Sequence, residues 1–101
     1  MSDSPLEFYR DERGNPRARG RDERLARFFE TDLQDSVEIA RHLVELLGNE
    51  RGGEFHGNAH SLSINPLLVT IECHADDGPD RRIERTELRR WVEQWIAFIN
   101  G

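Results

Sequence analysis

The chain has 101 residues, 36% apolar and 34% charged, with a formal net charge of −6. That length fits one domain over residues 1–101, and a fold this small buries only about two-thirds of its unfolded surface, so its core must be nearly complete. The single cysteine, Cys73, excludes an internal disulfide, the first nine residues lack the pattern of a signal peptide, and no run nears the ~20 apolar residues of a membrane span.

These features predict an acidic, cytoplasmic bacterial protein that uses no membrane, with residues 1–4 as a disordered tail. All fourteen basic residues are arginine, which reads as the coding bias of a GC-rich genome. They are unevenly placed. From Arg10 to Arg27, seven arginines face four acids, a local charge of +3; elsewhere seven face sixteen acids, a charge of −9.

In chain order, Leu6 and Phe8 alternate with polar residues and predict a short strand. Arg13-Gly14-Asn15-Pro16 supplies a turn, and residues 16–19 predict an edge strand in return. Residues 25–29 read as a further extended piece or a lead-in to a helix. The first helix is expected from Thr31, with Thr31 and Gln34 as a capping box and Asp32 and Asp35 as acids in the first turn. Leu33, Val37, Ala40, Val44 and Leu47 carry its apolar stripe, and Gly48-Asn49 is expected to end it in a left-handed conformation. Residues 50–53 read as a loop.

A hairpin follows. Asn65-Pro66-Leu67-Leu68 fits a type I turn, which predicts the pairs Ile64–Val69, Leu62–Ile71 and His60–Cys73. Leu62, Ile64, Val69, Ile71 and Cys73 then share a buried face. Asp76 to Asp80 reads as a polar turn. A last helix, capped near Thr86, carries Leu88, Trp91, Val92, Trp95 and Ile99 on one stripe. The expected fold is α+β, in the order β-β-α-β-β-α: an antiparallel sheet of about four strands with two helices on one face.

The motif order resembles the YacL family of uncharacterised small bacterial proteins. The resemblance rests on Glu7-Phe8-Tyr9-Arg10-Asp11 with Gly14, on Arg27-Phe28-Phe29-Glu30-Thr31-Asp32, on the stretch from Gly57 to His74, and on the closing aromatic helix. This chain departs from that pattern at its hairpin tip, Asn65-Pro66, and in its shorter link to the last helix. The resemblance implies no activity and no catalytic residue.

Candidate chemistry is sparse. Arg17, Arg19, Arg21, Arg24 and Arg27 recur at near-even spacing, and on a strand the first three would share a face. Such guanidinium groups hold phosphates or an acidic partner, whereas a charged, aggregation-resistant edge is the plainer reading. His56, His60, Cys73 and His74 include only one facing pair, with no zinc-ligand spacing, so no metal and no cofactor is expected. Cys73 and His74 point to opposite faces of a strand and make no catalytic dyad. Trp91 and Trp95 read as core, or as anchors of an interface or homodimer if exposed. The expected function is a non-enzymatic protein–protein interaction module. The alternative is a nucleic-acid or ribonucleoprotein accessory factor that contacts phosphates through residues 10–27.

Overall fold

The computed structural model describes residues 6–49, 51–74 and 80–101. It is an α+β fold with two antiparallel sheets. Strands β1 (Glu7–Arg10) and β2 (Pro16–Arg19) pair only with each other. Helix α1 (Glu23–Phe28) runs into a π turn (Phe29–Leu33), and helix α2 (Val37–Leu47) follows. Strands β3 (Gly53–His56), β4 (His60–Ile64), β5 (Leu68–Cys73) and β6 (Arg81–Glu84) form a four-stranded meander. Helix α3 (Arg85–Asn100) closes the chain.

The central hairpin has the expected register: Ile64 faces Val69, Leu62 faces Ile71, and His60 faces Cys73. Its turn closes through Asn65 N donating to Leu68 O at 2.8 Å. Leu62, Ile64, Val69 and Ile71 are buried, while Ser63 and Glu72 are exposed. One sheet face is therefore covered and the other wet. Phe55 of β3 and Ile83 of β6 extend the buried face, against Ala40, Leu43 and Leu47 of α2 and Leu88, Val92 and Trp95 of α3.

Several expectations are corrected. The β1–β2 hairpin does not join the main sheet. The N–H of Ala18 on β2 donates instead to the Glu30 carboxylate, at 2.9 Å. Two further strands that were not expected complete the sheet: β3 begins at the last residue of the expected 50–53 loop, and β6 lies between the expected Asp76–Asp80 turn and the last helix. Of the two readings of residues 25–29, the helical one holds and the extended one does not: helix α1 occupies residues 23–28, started by Asp22, whose carboxylate accepts from Leu25 N. Thr31 does not start the next helix. Ser36 does, accepting from Ile39 N at 3.2 Å. The Gln34–Thr31 contact exists with the opposite sense: Gln34 Nε2 donates to Thr31 O at 2.8 Å, at the end of a turn rather than the start of a helix. Gln34 itself takes φ 51°, which separates the two helical pieces. Gly48 has φ −83°, so the left-handed position lies instead at Gly52, with φ 78°. The Asp76–Asp80 turn lies outside the described residues except for Asp80.

An aromatic cluster holds the β1–β2 hairpin on the body. The Phe8 ring meets Phe29, Trp91 and Trp95 edge-on at 5.0–6.0 Å between centroids, geometry that favours the ring quadrupoles. Arg10 stacks over Phe98 at 5.2 Å and donates to the Phe98 and Ile99 carbonyls at the C-terminal end of α3. The turn between β1 and β2 is closed by Asp11, whose Oδ1 accepts from Arg13 N and Asn15 N, both at 2.9 Å. The Asn15 N–H chiefly holds the Asp11 carboxyl below its ordinary value of 3.8. By linkage, this turn gains stability above the unfolded value and loses it as pH falls through the lower folded one.

Two glycines separate backbone strain from crowding. A Cβ on Gly14 (φ 83°) would meet nothing within 4 Å, whereas one on Gly52 would overlap the Ile64 carbonyl oxygen. Gly14→Ala should therefore cost about 1 kcal/mol, the left-handed penalty alone. Gly52→Ala should cost clearly more, because the start of β3 must also move away from β4. Urea denaturation of both variants reads the difference.

Candidate functional site

Leu25, Phe28, Phe29 and Leu33 follow helical spacing and are buried. Asp32 lies on the same stripe and is only 3% exposed. The backbone there widens to a π turn, closed by Gln34 N donating to Phe29 O at 2.8 Å. Such turns recur at functional sites. A carboxylate this deep needs donors, because desolvating an unpaired charge is costly.

The β3–β4 loop supplies them. Asp32 Oδ2 accepts from His60 N at 2.9 Å and Ala59 N at 3.3 Å. Oδ1 lies 3.1 Å from His60 Nδ1. Thr31 Oγ1 also contacts Oδ1 and donates to Arg27 O at 2.8 Å. Asn58 Nδ2 donates to Thr31 O at 3.1 Å. A Cβ on Gly57 would overlap Asp32 Oδ2, so the loop wraps the carboxylate only with glycine there. A carboxylate accepts, so Nδ1 carries a proton and donates. The opposite ring nitrogen, Nε2, is buried and has no hydrogen-bond partner among the described residues. Phe28 packs edge-on against the imidazole at 5.9 Å.

His60 is 2% exposed yet lines a cleft of about 460 Å³ between α1 and the end of the sheet. Cys73, facing His60 on β5, lines it too and is half-buried. Arg24 and Arg27 of α1 and Arg81 of β6 supply positive charge, against Glu23 and Asp80. Arg81 is anchored by Asp22 at 2.8 Å, which ties the start of α1 to β6.

The arginines of residues 17–27 divide between two settings. Arg17 and Arg19 flank the buried Ala18 on the outward side of β2. Arg17 pairs with Glu30 at 3.3 Å, and Arg19 pairs with Glu7 at 3.2 Å and stacks over Tyr9 at 4.6 Å. Arg21 lies beyond the end of the strand, so it does not share the face of Arg17 and Arg19. Arg24 and Arg27 turn to the cleft. Trp95 is fully buried and donates from Nε1 to Gln34 O at 2.8 Å, so it belongs to the core; Trp91 is half-buried beside Phe8. His56 bonds Ser61 and Glu54 on the wet sheet face, away from His60. No group of three or more His, Cys, Asp or Glu side chains converges as a metal site among the described residues.

Sequence reasoning missed Asp32 as the partner of His60. A signal was present, since Asp32 interrupts the apolar stripe of Leu25, Phe28, Phe29 and Leu33 at helical spacing.

Removing the buried acceptor should be far more damaging than removing an exposed one. Asp32→Ala leaves three N–H groups unanswered and should destabilise the fold by roughly 3–5 kcal/mol. Glu7→Ala, which breaks the surface pair with Arg19, should cost less than about 1 kcal/mol. Chemical denaturation of both variants checks the contrast. Compared with models of protein families, with curated proteins and with solved structures, the chain gives no significant match.

Proposed function

We propose that this chain is a non-enzymatic protein–protein interaction module that docks an acidic segment of a partner protein. The docking face runs from the outward side of β2 across α1 to β6. One observation carries this reading: three neighbouring furrows share Glu23, and Arg27 and Arg81 each border two of them. The positive segment is thereby presented as one continuous relief on a body that is otherwise negative.

The interleaved acids favour a protein over a nucleic acid. Glu7, Glu30 and Asp22 stand among the arginines and pair with Arg19, Arg17 and Arg81. A run of phosphates would meet these acids at close range, and the net charge of −6 repels it from afar. An acidic protein segment can place its carboxylates at the arginines and its uncharged side chains beside the acids between them, which a regular run of phosphates cannot do. The motif order shared with YacL-like proteins carries no activity and adds nothing to this reading.

The test is affinity capture of the full chain from a native lysate, with and without nuclease, beside the Arg24→Glu/Arg27→Glu variant. A defined protein should remain after nuclease and be lost from the variant. Because association at a charged rim responds to salt, its association rate should fall as ionic strength rises. Material that disappears with nuclease instead would transfer the face to nucleic acid. A protein captured equally by the variant would move the docking site elsewhere, with Trp91 on α3 the next candidate.

A further inference from the structure

We infer that Cys73 is a reactive thiol that exchanges with anionic disulfides, with His60 as its proton acceptor. The strand geometry comes first. His60 and Cys73 are direct cross-strand partners. The ladder bond from His74 N to Ala59 O, 2.8 Å, belongs to the adjoining pair. The His60–Cys73 pair is therefore of the kind without mutual backbone hydrogen bonds, in which Cα atoms lie about 4.5 Å apart and side chains approach most closely. His74, the neighbour in sequence, points to the other face and bonds Ser61 there.

The second observation is the unmet nitrogen. Asp32 occupies Nδ1 of His60, which leaves Nε2 as the nitrogen that presents a lone pair in the neutral imidazole. Buried polar atoms without partners are rare in folded proteins and call for an explanation. Here His60 is one wall of the cleft that also holds Cys73. A base fixed by a carboxylate on the wall it shares with a thiol can activate that thiol; Nε2 and Sγ are not hydrogen-bonded in the free protein, where such contacts are often long and tighten only in the reacting complex. The guanidinium groups of Arg24, Arg27 and Arg81 line the same cleft. They select the reagent, since a disulfide bearing carboxylates is drawn in where a cationic one is not.

The step balances within the two reactants. His60 Nε2 takes the proton from Cys73 Sγ, and Sγ attacks one sulfur of the disulfide. The Sγ–S bond forms as the original S–S bond breaks. The departing sulfur leaves with the electron pair and takes the proton from His60. Cys73 is oxidised to the mixed disulfide and half of the reagent is reduced to thiol; a second thiol reverses the reaction. This chemistry does not depend on a docked partner.

The probe is 5,5′-dithiobis(2-nitrobenzoate), a dianionic disulfide whose released thiol absorbs visible light. Cystamine, a dication, is the comparison, followed by mass spectrometry. Cys73 is the only cysteine in the chain, so the signal is unambiguous. The full-length protein should react with the dianion ~tenfold or more faster than an unstructured cysteine peptide at equal pH, with no such gain for cystamine. His60→Gln should return the rate towards that of the peptide, with folding verified by circular dichroism. Arg27→Glu, an exposed change that leaves the core intact, should lower the dianion rate and raise the cystamine rate. A wild-type rate no faster than the peptide overturns the inference, as does a folded His60→Gln variant that reacts like wild type. If His60→Gln does not fold, the wild-type rate and the Arg27→Glu reversal decide the matter.

Discussion

The carboxylate of Asp32 is the point on which the two halves of the molecule are joined. It projects from the π turn after α1 into the loop between β3 and β4 and collects N–H groups from Ala59 and His60. A buried charge is tolerated only when its lone pairs are answered, and charge-assisted bonds are stronger than neutral ones. The fit leaves no room for a side chain at position 57. Turn, loop and sheet end are thus held in one relative position, and the cleft beside Cys73 is a consequence of that position.

A second set of contacts supports the first. The β1–β2 hairpin has no strand neighbour beyond its own pair, and two short strands have little stability alone. It is held by apolar and aromatic contact: Phe8 enters a box formed by Phe29, Trp91, Trp95 and Phe98. Glu30 then answers the open N–H of Ala18 and pairs with Arg17. Phe29, Glu30 and Asp32 are neighbours on one turn, so the same few residues seat the hairpin, cap its edge and bind the β3–β4 loop. At the other end of the fold, Arg85 links the Pro66 carbonyl of the β4–β5 turn to the end of α2 through Leu47 O.

This arrangement also organises the charge. The arginines of β2 sit beside acids and form a balanced outer face, while those of α1 join Arg81 around His60 and Cys73. The proposed docking face and the proposed thiol site both draw on these arginines. The residues outside 10–27 sum to a charge of −9, which weakens attraction for an anion over the rest of the molecule.

What can be read locally was legible in the residues alone. Strict alternation and Pro66 specify the β4–β5 hairpin to the residue, because a slip of one position would turn Leu62, Ile64, Val69 and Ile71 out to water. Helical spacing likewise places Leu88, Val92 and Trp95 on the inner side of α3, and the facing of His60 and Cys73 follows from the same period. The break at Gln34 did not follow from propensity, since Thr31 and Gln34 satisfy a capping pattern that the tertiary structure overrides. Trp95, 61 positions away, donates to the Gln34 carbonyl, and Ser36 takes over the start of α2. Strands β3 and β6 were hidden for a related reason: each is only four residues long and buries a single side chain, so neither carries a period of its own. The Asp32–His60 pair is the clearest case. Both residues stand on apolar stripes where a polar group is anomalous, and the sequence alone determines that each needs a partner. Only the folded chain could pair them across 28 positions, because desolvation is a property of the assembled core and not of any segment.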